Sequence, residues 1–193
     1  MTVWHWIRHG PTHERAFVGW RDVPVDLSDS AAIARLDTHL PSDAIVISSD
    51  LVRAVHTADA LHQLGRVRLP HDPDLRELHF GRWDGKHFDE VAASDPELSR
   101  AYWETPGDVA APDGESWNTA AARVGRVVTR LNADHPDRHI IAVAHFGVIL
   151  TQVQQALGIS AADVMAHKID NLSVTELRCE GGTWSVERIN HVP

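Results

Sequence analysis

Residues 3–12, Val3-Trp4-His5-Trp6-Ile7-Arg8-His9-Gly10-Pro11-Thr12, decide how the rest of the chain is read. Val3, Trp4, Trp6 and Ile7 are β-formers in close succession, so the stretch reads as a strand. It stops at Arg8-His9, and Gly10-Pro11 turns the chain. A guanidinium and an imidazole therefore stand side by side at the carboxyl end of a strand, where open α/β sheets bind ligands. The guanidinium offers a planar fork of donors suited to phosphate oxygens. A neutral imidazole has a lone pair near physiological pH and can act as a covalent nucleophile. Together the two can hold a phosphoryl group and attack it.

The same arrangement recurs further along the chain. Ala44-Ile45-Val46-Ile47 is a continuous apolar run, as in a parallel strand buried on both faces. Ser48-Ser49-Asp50 offers caps to a helix from Leu51 to about Leu64, ended by Gly65. Its N-terminus favours an anion, and Arg53 sits in the first turn. His139 to Ala144 is another apolar strand, delivering His145 before Phe146-Gly147 and a helix. Elsewhere Ser28 caps a helix to about Leu40, closed by Pro41, and Val67-Arg68-Leu69 reads as a short strand. Lys86 to Trp103 reads as helical with a break near Asp95-Pro96. Residues 105–114 are turn-rich, and the expectation is a mobile flap over the pocket. Glu115-Ser116 opens a helix to about Asn132, with Ala121, Val124, Val127, Val128 and Leu131 at helical spacing. Leu172–Leu177 and Thr183–Ile189, separated by Glu180-Gly181-Gly182, read as a hairpin that makes the sheet mixed.

Length and composition set bounds. The 193 residues suit one domain spanning 1–193, and hydrophobic and charged contents of 43% and 23% are ordinary for a globular protein. No apolar run approaches the ~20 residues of a membrane helix, and no signal peptide is apparent, so neither a membrane nor a secretory context is expected. The single Cys179 has no internal partner, which makes a reduced, cytoplasmic setting the default. A formal net charge of −9 argues against nucleic acid as a partner. It leaves an anionic substrate open, because exposed charges beyond about 8 Å are largely screened. The fourteen histidines lack the spacing of a zinc motif, so no metal is expected.

Taken together, the motifs resemble the histidine phosphatase superfamily, which contains the phosphoglycerate mutases. Arg8-His9-Gly10 matches its signature, and Gly19-Trp20-Arg21-Asp22-Val23-Pro24 looks like its Gly-Trp-x-Asp-x-Pro-Leu segment. Ser48-Ser49 through Arg53-Ala54 to Thr57-Ala58 is similar to its second-arginine block. Leu75-Arg76-Glu77, with Gly81 and Gly85, resembles its glutamate loop. Gly114-Glu115-Ser116 resembles the family's helix start, where the serine reads as a cap, and Val143-Ala144-His145-Phe146-Gly147 resembles its second-histidine corner.

The resemblance implies an α/β fold of three layers, α/β/α, with a mostly parallel central sheet and an antiparallel edge, phosphoglycerate mutase-like. It implies His9 as nucleophile, Glu77 as proton donor, and Arg8, Arg53 and His145 as phosphate-holding catalytic groups, with Thr12 and Gly19 contributing to phosphate or substrate binding. Such a set is chemically sufficient without a metal or other cofactor, and it predicts a bell-shaped pH–rate profile.

The chain departs from the family pattern at His56 (usually glutamine), at Arg15 (usually asparagine) and at Phe146 (usually glycine). Arg15 either adds positive charge for a doubly anionic substrate or faces solvent. Phe146 either narrows the pocket or stacks on substrate. The expected activity is hydrolysis of a small phosphorylated metabolite through a phosphohistidine, with α-ribazole-phosphate and sugar-phosphate phosphatases among family members of this size. A mutase-type phosphoryl transferase is the alternative. It is disfavoured because residues 86–114 are short and carry only Arg100, because no asparagine follows Gly147, and because Phe80 stands where the mutases have tyrosine. A non-catalytic regulator that binds a phospho-ligand or protein is the alternative from another class. Assembly, including a homodimer, is left open by the sequence.

Overall fold

The computed structural model describes residues 1–61 and 63–193. Its centre is a six-stranded sheet in the order β3-β2-β4-β1-β5-β6. The strands are β1 (Thr2–Arg8), β2 (Ile45–Ser48), β3 (Val67–Arg68), β4 (His139–Ala144), β5 (Val174–Glu180) and β6 (Thr183–His191). The first four named in that order run parallel, while β5 pairs antiparallel with both β1 and β6. The sheet is thus mostly parallel with an antiparallel edge.

Helices cover both faces. On one side Ile7, Val46, Ile141 and Val143 pack with Leu36 and Leu40, on or just beyond α1 (Ser30–His39), and with Ala54 and Ala58 of α2 (Val52–Ala60). On the other, Trp4, Trp6, Ile47 and Ile140 pack with α5 (Trp117–Asp134) and α6 (Phe146–Leu157). Two short helices, α3 (Phe88–Ser94) and α4 (Pro96–Glu104), extend that side, and α7 (Ala161–Val164) follows α6. Alternation along β1 explains the division, since successive side chains point to opposite faces. Trp4 and Trp6 both enter the larger layer, where their rings stack with centroids 5.0 Å apart.

Several local expectations are corrected. Asp29, not Ser28, caps α1, its carboxylate accepting from the Ala32 amide at 2.9 Å. None of Ser48, Ser49 or Asp50 caps α2. The Val52 amide donates instead to Asp22 Oδ1 at 2.7 Å, a carboxylate from a distant loop. That helix also ends at Ala60, with Leu61 as its C-cap, and the expected continuation to Leu64 passes through His62, which lies outside the described residues. Ser116 does cap α5, accepting from the Thr119 amide.

The turn-rich segment 105–114, expected as a flap over the pocket, does not line the cavity that holds His9 and is tied to a neighbouring turn. Pro112 O accepts from the Arg82 amide at 2.8 Å, and the next residue, Glu115, donates its amide to His79 O at 2.9 Å. Gly81 permits this approach: it has φ +51°, and a Cβ there would fall 2.0 Å from Pro112 O. His56 is exposed on α2.

Candidate active site

Two strand ends build the centre. The parallel register pairs Arg8 with Ala144, so the next residues, His9 and His145, emerge side by side with ring centroids 5.1 Å apart. His9 Nδ1 lies 2.7 Å from Gly10 O. A carbonyl can only accept, so Nδ1 carries the hydrogen and Nε2 keeps its lone pair. That lone pair faces Arg53, whose Nε–H reaches it at 3.3 Å. Burial lowers the His9 pKa to about 3, and the neighbouring Arg53 charge pushes the same way. The ring is therefore neutral, a free base, across the physiological range.

His145 is anchored in the opposite sense. Its Nε2 meets Ser49 Oγ at 2.7 Å, and its buried Nδ1 has no partner among the described residues. Burial, then Arg53, holds its pKa well below the ordinary histidine value.

Both arginines are fixed by backbone carbonyls. Arg53 Nη2 donates to Gly19 O at 2.7 Å and Nη1 to Arg21 O at 3.0 Å. Only 1% of this residue is exposed, so it is held inside the protein and not on a solvated helix face. Arg8 Nη1 donates to Ile169 O at 2.6 Å, and its guanidinium carbon lies 5.6 Å from the centre of the Phe146 ring, a cation–π contact. Phe146 thus braces Arg8. Thr57 Oγ1 accepts from the Gly10 amide, and Asn171 donates to His9 O at 2.8 Å, which pins the turn carrying the imidazole.

Glu77 arrives from the loop between two short 3-10 turns, Pro73–Leu75 and Gly81–Trp83. Its carboxylate sits at the N-terminus of α6. The Gly147 amide reaches Oε1 at 3.1 Å and Oε2 at 3.2 Å, and the Leu78 amide donates to Oε1 at 2.9 Å. Gly147 makes this approach sterically feasible, because a Cβ there would lie 2.7 Å from Oε1. Burial raises the Glu77 pKa above the usual carboxylic value, against the opposing pull of these amides and of both arginines. Its backbone is held too: Glu77 O accepts from Arg123 Nη2 at 2.7 Å and from Trp20 Nε1 at 2.7 Å. Arg123, itself paired with Glu115, also donates to Asp74 O at 2.8 Å.

A cavity of about 420 Å³ opens over these groups. Arg8, His9, Thr12, Arg15, Glu77 and Phe146 line it. Arg53 and His145 do not line it but are buried against His9. Gly19 does not line it and acts through the carbonyl that holds Arg53. Arg100 is exposed on α4 and away from the lining.

Sequence reasoning overlooked Ser49 as a partner of His145, together with Thr57, Asn171, Trp20 and Arg123. Arg123 had a readable signal, since it falls three residues after Ala120 and four before Val127, on the apolar face of α5. A charge placed there must be partnered in the core. Asn171 lies in a loop and offered no such cue.

The chain is similar to several known proteins. It is 30% identical over 192 residues to the adenosylcobalamin/alpha-ribazole phosphatase of Salmonella typhimurium, covering 96% of this chain and 89% of that one. Among solved structures, Bacillus stearothermophilus YhfR superposes with a TM-score of 0.90 at 26% identity, covering 100% of this chain and 98% of the other. A mycobacterial glucosyl-3-phosphoglycerate phosphatase superposes with a TM-score of 0.86 at 27% identity, with 99% of each chain covered. A family model matches residues 5–192, and on that match the chain belongs to the histidine phosphatase superfamily (branch 1).

Proposed function

We propose that this protein is a phosphatase that hydrolyses small phosphomonoesters through a phosphohistidine on His9. One observation carries the mechanism. The lone pair of a buried neutral His9 Nε2 opens on a cavity that also holds Glu77 and Arg8, with Arg53 Nε–H 3.3 Å from the same nitrogen. The alpha-ribazole and glucosyl-3-phosphoglycerate phosphatases among its relatives support phosphatase activity.

His9 Nε2 forms a bond to phosphorus as the bond from phosphorus to the ester oxygen breaks. Arg8, Arg53 and His145 stabilise the charge on the phosphoryl oxygens, in a site where water screens little. Glu77 supplies the proton that the leaving alkoxide needs, and its raised pKa suits it to carry that proton. Water then attacks the phosphohistidine, Glu77 accepts a proton from it, and His9 and inorganic phosphate are released.

Brief mixing with phosphorus-labelled substrate followed by alkaline quench tests this. An alkali-stable, acid-labile label on the native protein that is absent from His9→Ala is expected. Phosphate release without any such label would rule out the covalent route.

A further inference from the structure

Beside the cavity over His9 lies a second cleft of about 420 Å³, lined by Phe17, Phe88, Asp89, Ala92, Ser99 and Trp103. The two adjoin, because Phe17, Phe88 and Trp103 line both. Their rings form one wall. Phe17 lies 4.3 Å from Phe88 and 5.9 Å from Trp103 between centroids, nearly parallel to the latter at 14°. Phe17 is buried, whereas Phe88 is 52% exposed. A large apolar ring left open to water at the mouth of a site is a surface that gains from being covered.

We propose that this cleft is the leaving-group subsite, and that it takes a ring-bearing apolar alcohol whose phosphate sits at His9. The assignment rests on the phosphatase reading for the phosphate end alone. A sugar or polyol would bring hydroxyls to a wall whose side chains offer few partners beyond Ser99 and Asp89, and would strip water from them unrepaid. A second acidic group placed in this cleft would face the Asp89 carboxylate, since Arg15 lines the cavity over His9, beside Glu14, and not the cleft. An aryl group meets aromatic faces with offset or edge geometry and needs no polar partner.

The test uses non-hydrolysable phosphonates, so that binding is read apart from turnover. Calorimetry would compare ethyl, propyl and butyl phosphonates with their phenyl-terminated counterparts and with a glycerol phosphonate. At least one phenyl-terminated compound is expected to bind about tenfold or more tightly than its plain partner, with no gain for the polyol. Phe88→Ala and Trp103→Ala are expected to reduce that preference several-fold. Ala92→Glu, which truncates nothing, is expected to abolish it by placing a carboxylate in the cleft. Equal affinities across the plain and phenyl series, or tighter binding of the polyol, would overturn the subsite. The corresponding phosphate monoesters, assayed for phosphate release, judge the other reading. Phenyl preference without release leaves the subsite standing and defeats the phosphatase; release without preference does the reverse.

Discussion

The corners after β1 and β4 resemble one another in sequence and differ in how each ring is tied. Both are apolar parallel strands that deliver a histidine and then a turn or helix. At the first corner the near nitrogen is bound to Gly10 O, and the far one keeps its lone pair, met by the Arg53 Nε–H. At the second the far nitrogen is held by Ser49 and the near one is left open. Under the proposed mechanism, neighbouring hydrogen bonds, more than residue type, divide nucleophile from stabiliser. In the proposed mechanism His9 makes the covalent bond, and His145 supports the phosphoryl oxygens.

That contrast can be broken most sharply at the first ring. His9→Ala is expected to lower turnover on the order of 10⁴-fold and to abolish the labelled intermediate, measured by steady-state phosphate release and quench. Should H145A instead lose the label while H9A keeps it, the two assignments are reversed. Glu77→Gln is expected to reduce kcat by about 10²–10⁴ with little change in KM. For His145→Ala the expected loss is about 10²–10³, with phosphoenzyme still forming, because one stabilising donor has been removed. The mildest change, Ser49→Ala, frees the His145 ring and should cost about tenfold in kcat. A Ser49→Ala turnover equal to that of the native protein would show that the tether is idle.

The pH dependence sharpens the same comparison. His9 must be unprotonated to attack, so kcat/KM rises with pH through its pKa. Burial sets that value at about 3, below the ordinary 6.5. Glu77 must be protonated to donate, so kcat/KM falls as pH rises through a pKa that burial lifts above 4.5. Glu77→Gln should remove the falling limb and leave the rising one. A falling limb that persists in E77Q would assign it to another group.

Much of this centre was legible in the sequence, for a physical reason. Arg8, His9 and His145 follow apolar strands directly, and strand ends are readable from composition. The partners that tie them were not. Ser49 reads as a helix cap by residue type, but α2 takes its cap from Asp22, which frees the Ser49 hydroxyl for His145. Asn171 and the Gly19 and Arg21 carbonyls act across long sequence separations, where no local pattern records the contact. The segment 105–114 has the composition of a loose loop, yet Gly81 lets it bind tightly to a neighbouring turn.

The tether from Asn171 to the His9 carbonyl spans 162 positions along the chain. The turn that presents the His9 ring is therefore secured by a residue made 162 positions after it. β5, which follows that residue, also flanks β1. A nascent polypeptide on the ribosome would carry Arg8, His9, Arg53, Glu77 and His145 already, yet hold this corner loosely until Asn171 and β5 emerged and docked.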